Sequence, residues 1–235
     1  MKSILIPGGT GALGSVVVQR LVADGYRCVV PYNSVDEAQK LRTHFAPQQR
    51  DQLLLIEADM LDEHAVALVF DAAVSGGTLY GLVHLLGGIR GFQHIEETSV
   101  EDWDFLLNLN LRSLFLTARL AMKEFSGNGS GRIVTIGAMA SVKPAASQAG
   151  YGVAKAGVSA LTKILADEGR KNGVTANCIL PGIIVTEANL SWGAEEDIPK
   201  WTPPSDIAAA VSYLLSDAAA SVNGSDIKLF GGLNI

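Results

Sequence analysis

Apolar residues in this chain come in short unbroken runs, and between the runs they recur at three- and four-residue spacing. Ser3 to Pro7 is the first run; after a glycine-rich segment, Leu13, Val16, Val17 and Leu21 repeat with helical period as far as Gly25. Arg27 to Pro31 predicts a second strand, and Ser34 with Glu37 three residues on predicts a capping box that opens a helix to about Phe45. Leu53 to Glu57 predicts a third strand, Asp62 a cap for a helix to about Ala73, and Gly81 to Leu86 a fourth strand ending at Gly87-Gly88. One long helix is expected from about Val100 to Phe125, closed by the glycine and serine turn at Ser126 to Gly131. Then come a strand over Gly131 to Ile136, a helix carrying Tyr151 and Lys155, a strand over Thr175 to Leu180, a helix from Pro203-Pro204-Ser205, and a last strand over Ser225 to Phe230.

Strands that are apolar on both faces and alternate with helices argue for a parallel sheet covered on both sides. The fold class expected is therefore α/β, a doubly wound parallel sheet of about seven strands. No internal repeat, charge run or linker divides the chain, which predicts one domain over residues 1–235. Ligands of such sheets gather beyond the carboxyl ends of the strands, where the glycine loop, Gly87-Gly88, Gly137-Ala138 and Pro181-Gly182 all fall.

Composition narrows the setting. Hydrophobic residues make up 48% of the chain with 25 glycines, the balance of a compact globular protein rather than a disordered or fibrous one. A net charge of -6 gives no basic footprint, so neither nucleic acid nor an anionic membrane is an expected partner. Cys28 and Cys178 each sit inside an apolar run and match no metal spacing, which predicts buried thiols and no metal. The apolar run at the N-terminus is too short for a signal peptide, and no stretch approaches the roughly 20 apolar residues of a membrane span. A cytoplasmic location is the expectation.

Two patterns carry chemistry. Gly9-x-Gly11-x-x-Gly14, between a strand and a helix, satisfies the dinucleotide fingerprint of a Rossmann-type fold, with phosphates meeting the unpaired N–H groups of the helix N-terminus. Tyr151 and Lys155 lie four apart and so share one helix face. A cation beside a phenol favours the phenolate and lowers a pKa near 10 toward the working range, so the pair could exchange protons. Alone, that pentapeptide is equally a packed tyrosine and a solvated lysine.

Taken in order, the motifs resemble those of the short-chain dehydrogenase/reductase family, over essentially the whole chain. The family's first signature aligns with Pro7 to Gly14, with proline for its threonine and Ala12 for its middle glycine. The resemblance implies cofactor contacts from Gly8, Thr10, Leu13 and Gly14, and from Asp59 and Met60 at the adenine. Gly87 is the one residue kept of the family's asparagine-asparagine-alanine-glycine segment, here His84-Leu85-Leu86-Gly87. Asn110 matches the asparagine that supports a proton relay, Tyr151 and Lys155 the active-site pair, and Pro181 to Thr186 the segment that holds the nicotinamide amide, through Ile184 and Thr186. The implied activity is hydride transfer between nicotinamide and a small carbonyl or quinonoid substrate, with Tyr151 moving the proton and Lys155 holding the ribose. The family is commonly dimeric or tetrameric, which makes a homodimer or homotetramer the expectation.

Two places shape the detail. The family's carbonyl-polarising serine, thirteen residues before the tyrosine, is Ala138 here, whose methyl cannot hydrogen-bond; Ser141 lies nearby in sequence. Dihydropteridine reductases share this alanine and the Gly-Ala-Leu-Gly loop ending. At the end of the second strand, Tyr32-Asn33-Ser34 offers neither the carboxylate that selects NAD nor, at Asn33, the arginine that often binds a 2′-phosphate. The cofactor expected is thus NADP or NAD, with the balance toward NADP. Trp192 and Trp201 fall in a lid segment over Glu187 to Pro204, whose Glu195, Glu196 and Asp197 disfavour an acidic carrier protein. Two alternatives stay open: a nicotinamide-binding sensor that has lost catalysis, and a carrier-linked 3-oxoacyl reductase. His84 and His94 are read as structural.

Overall fold

The computed structural model describes residues 1–233; Asn234 and Ile235, the last two of the expected domain, lie outside the described residues. Seven parallel strands form one sheet in the order β3-β2-β1-β4-β5-β6-β7. They are β1 (Lys2–Leu5), β2 (Arg27–Tyr32), β3 (Leu53–Glu57), β4 (Thr78–His84), β5 (Gly131–Ile136), β6 (Val174–Pro181) and β7 (Asp226–Leu229). The helices are α1 (Ala12–Ala23), α2 (Val35–Thr43), α3 (Glu63–Ser75), α4 (Val100–Leu107), α5 (Ser113–Asn128), α6 (Ala149–Gly169), α7 (Glu187–Leu190) and α8 (Pro204–Leu215). This is the Rossmann-type α/β fold. Strand order reverses between β1 and β4, the switch point where such sheets open a crevice.

Two apolar layers sandwich the sheet. One joins Val69 and Phe70 of α3, Leu114 and Phe125 of α5 and Val158 and Leu165 of α6. The other joins Val17 and Leu21 of α1, Leu41 of α2 and Val211 and Leu214 of α8. Every residue of β5 and β6 is buried, the polar Arg132, Thr135, Thr175 and Asn177 included, as expected of central strands in a parallel sheet covered on both faces. Each fully buried Leu or Ile contributes about 1.5–3 kcal/mol.

Three local expectations are corrected. The helix expected from Val100 to Phe125 is interrupted by a π-helical segment, Asn108–Arg112, between α4 and α5. Side chains hold it open: Asn110 donates to the carbonyl of Leu106 at 2.9 Å, and Ser113 donates from Oγ to the carbonyl of Leu109 at 2.6 Å. The fourth strand starts three residues earlier than expected, at Thr78, and ends at His84. At α2, Ser34 accepts the Glu37 N–H at 3.3 Å, but the Glu37 carboxylate does not return to the cap; it accepts from Thr10 Oγ1 at 3.0 Å.

Candidate active site

The carboxyl ends of β1 to β6 open into one cavity of about 1120 Å³, larger than drug-sized ligands require. The glycine loop forms one wall. Gly8 has φ +81, and a Cβ there would lie 2.5 Å from the Leu86 nitrogen; a Cβ on Gly14 would lie 2.1 Å from the Gly8 oxygen. Only glycine lets loop, helix and β4 end approach this closely. The loop delivers α1 with Gly11 as its N-cap, no side-chain cap and no acid in its first turn. Gly11, Ala12 and Leu13 line the cavity, so the helix presents bare N–H groups and the positive end of its dipole there. A pyrophosphate fits this cradle.

At the other wall, α6 places Tyr151 and Lys155 on one face, with Lys155 Nζ 5.9 Å from the centre of the phenol ring. Lys155 is buried, and its Nζ donates to the Ile136 carbonyl at 2.9 Å. Burial lowers the Lys155 ammonium to about 8 and raises the Tyr151 phenol to about 12. Desolvation of the phenolate is the cause at Tyr151, and it acts opposite to the lowering that the sequence expects from the lysine. At neutral pH the Tyr151 phenol keeps its proton.

Beneath them lies Asn110, fully buried in the π segment. Its Oδ1 accepts the Gly88 N–H at 3.1 Å and its Nδ2 donates to the Gly88 carbonyl at 3.0 Å. A Cβ on Gly87 would sit 2.7 Å from Asn110 Oδ1 and 3.0 Å from Lys155 Nζ, so the three form one packed cluster. His84, next to it, is buried, contacts Ser113 Oγ through Nε2 at 3.2 Å, and is lowered to about 3 by burial and then by the Lys155 charge. It does not line the cavity, in keeping with a structural role.

Most residues singled out in the sequence meet here. Gly8, Thr10, Leu13 and Gly14 line the loop wall, and Asn33, Asp59 and Met60 the end nearest β2 and β3. Gly87, Ala138, Ile184 and Trp192 join Tyr151 and Lys155. Three residues lie outside the lining. Asn110 sits below it; Thr186 caps α7 by accepting the Asn189 N–H at 3.3 Å; and Ser141 accepts the Ala138 N–H at 3.3 Å. Trp192 is 63% exposed at the rim and packs on buried Trp201 with ring centres 5.4 Å apart.

The cavity also holds residues the sequence reading passed over. Gln148 follows Ser147, the one described non-glycine residue with positive φ (63), and faces the cavity three positions before Tyr151. Phe92 and Phe105 add aromatic surface at the mouth. Glu37 lines the end near Asn33, a position hidden in sequence by its fit to a capping pattern.

Known proteins resemble the chain along nearly its whole length. A family model described as enoyl-(acyl carrier protein) reductase matches residues 10–234. The chain is 32% identical to nodulation protein G of Azospirillum brasilense over 244 residues, covering 99% of this chain and 98% of that protein. It is 30% identical to the acetoacetyl-CoA reductase of Acinetobacter sp. (strain RA3849) over 243 residues, covering 99% and 97%. The solved structure of a short-chain type dehydrogenase/reductase from Mycobacterium ulcerans matches with a TM-score of 0.92 at 28% identity, over 98% of this chain and 89% of that one. With the topology, the length and the motif order all in agreement, the chain belongs to the short-chain dehydrogenase/reductase family of oxidoreductases.

Proposed function

We propose that this enzyme transfers hydride between a nicotinamide cofactor and a small, uncharged carbonyl or quinonoid compound that is already activated toward reduction. The observation that carries the reading is that Tyr151 and Ala138 line the same cavity: a proton donor is present, and a methyl group stands where a carbonyl-polarising hydroxyl would help. When bound, the cofactor supplies or accepts the hydride. Gly11 to Leu13 receive its phosphates at the bare end of α1. Lys155, held by Ile136, binds the nicotinamide ribose hydroxyls as an ammonium below about pH 8. Tyr151 gives its proton to the substrate oxygen in reduction and takes one in oxidation. Asn110 fixes Gly88, and with it the floor under Lys155. Ile89, Phe92, Phe105 and Trp192 surround the mouth with apolar surface, which suits an uncharged ring or chain.

The deciding experiment follows oxidation of reduced cofactor optically across quinonoid pterins, quinones, diketones, ketoesters and acetoacetyl-CoA. Turnover of one of the activated acceptors, lost by about 10² or more in Tyr151→Phe with cofactor binding intact, supports the reading. A Tyr151→Phe enzyme that keeps half its activity sinks it. Acetoacetyl-CoA tests the second reading, a carrier- or coenzyme-linked 3-oxoacyl reductase, which the name of the Acinetobacter relative favours. Against it stand Glu195, Glu196 and Asp197 in the lid, with Lys200 bonded to Asp197 at 2.7 Å.

A second copy of the chain is proposed as partner. Leu111, Phe115, Leu161 and Ile164 border an apolar groove across α5 and α6, with Phe115 50% and Ile164 53% exposed. A helical face of this kind can pack on its own two-fold copy. Sedimentation of the native chain as a monomer would overturn this. A cytoplasmic setting belongs to the same proposal: both cysteines are buried and free, and among the described residues no helix is long and apolar enough to cross a membrane.

A further inference from the structure

We propose that Glu37 selects the cofactor: its carboxylate occupies the corner where a ribose 2′-phosphate would sit, so the enzyme binds NADH in preference to NADPH. This rests on the dinucleotide-binding reading above. In folds of this topology the pyrophosphate lies at the first helix N-terminus and the adenosine ribose at the end of the second strand. Here those two segments are bridged. Thr10, in the glycine loop, donates to Glu37 Oε2 at 3.0 Å, and Thr10, Tyr32, Asn33 and Glu37 all line the same end of the cavity.

The two helices that point their N-termini this way are prepared in opposite senses. That of α1 is bare of caps and acids and is ready for one anion. That of α2 is already satisfied: Ser34 accepts the Glu37 N–H, and both Asp36 and Glu37 fall in the first turn. Its dipole is offset by the chain's own carboxylates, so a second phosphate finds repulsion where it would otherwise find attraction. Among the described residues, no Lys or Arg lines that end of the cavity. Lys155 is the one Lys or Arg among the residues lining the cavity, and it is held at the end of β5, three strand spacings from β2 or roughly 14 Å. A ribose with a free 2′-hydroxyl, by contrast, can donate to the Glu37 carboxylate in exchange for Thr10. The balance toward NADP drawn from the sequence rested on the missing acid at the end of the second strand; the acid comes instead from the first turn of α2.

The test is the dissociation constants of NADH and NADPH for the full chain and for Glu37→Gln, read by quenching of tryptophan fluorescence at low and high salt. The expected native preference for NADH is about tenfold or more. Glu37→Gln, which keeps the shape and the N–H to Ser34, should tighten NADPH by about tenfold and weaken NADH a few-fold. Because the discrimination is between charges exposed to solvent, the native preference should narrow with salt while that of Glu37→Gln should not move. Equal or tighter native binding of NADPH, or a preference unchanged by Glu37→Gln, overturns the assignment. If neither cofactor binds either protein, the dinucleotide reading itself falls, and this inference with it.

Discussion

Lys155 donates from Nζ to the carbonyl oxygen of Ile136 at 2.9 Å, which ties the ammonium to the last residue of β5 and keeps it out of water. The folded chain holds this proton less tightly than the unfolded chain, about 8 against 10.5. Between those values the unfolded chain is protonated and the folded chain is not, so stability rises with pH through the window. Below it, burying the charge costs on the order of 3 kcal/mol. Lys155→Met removes that cost and loses one hydrogen bond worth about 1 kcal/mol. The expected outcome is a melting temperature raised by roughly 5 °C at neutral pH, with the gain shrinking toward pH 10.5 and activity lost. A difference between the two proteins that stays constant with pH would show that the ammonium is not buried. Native carbonyl reduction should also decline above about pH 8, as Lys155 gives up its charge.

Asn110, the buried residue of the π segment, supplies both hydrogen bonds to the Gly88 backbone and one to the Leu106 carbonyl. Asn110→Ala leaves the partly buried Gly88 N–H and carbonyl and the buried Leu106 carbonyl without that partner, at a cost of about 1–3 kcal/mol for each group that water does not reach. The variant should melt lower by several degrees, and hydrogen exchange of the Gly88 amide should quicken. Exchange at Gly88 that matches the native protein would mean the floor is held by other contacts.

The sheet and its order of elements were legible because short apolar-rich runs alternate with segments of helical spacing along the chain, and the few polar residues inside β5 and β6 do not break that order. The π segment was not, since helical spacing runs through Val100 to Phe125 without a proline or glycine before Ser126. What holds it open is Ser113, bonded to the Leu109 carbonyl, and Asn110, bonded both to the Leu106 carbonyl and to the backbone of Gly88, 22 residues away. Glu37 was obscured for the same reason: Ser34-x-x-Glu37 is a sufficient local pattern, and only contact with Thr10, 27 residues distant, redirects the carboxylate. Spacing put Tyr151 and Lys155 on one helix face, but it was the order of the motifs around them, the glycine loop first, and its resemblance to a known family that singled them out. Hydroxyl directions at Ser141 and Thr186 were not, because short turns decide them.

Ala138 supplies the last prediction. A hydroxyl that donates to a developing oxyanion is worth about 10² to 10³ in rate where the reaction depends on it. This enzyme has a methyl group there, and the nearest sequence substitute, Ser141, turns its Oγ to the Ala138 N–H at 3.3 Å and does not line the cavity. An acceptor that takes hydride readily builds less charge on oxygen, so Tyr151 alone can complete its protonation. Ala138→Ser should therefore leave turnover of a quinonoid or diketone acceptor nearly unchanged, while raising that of a simple ketone by roughly tenfold or more. The two rates measured side by side control for any shift in folding or cofactor affinity. Brisk native reduction of simple ketones, unchanged by Ala138→Ser but abolished by Ser141→Ala, would reverse the argument. It would mean that the Ser141 hydroxyl leaves the Ala138 N–H when substrate binds.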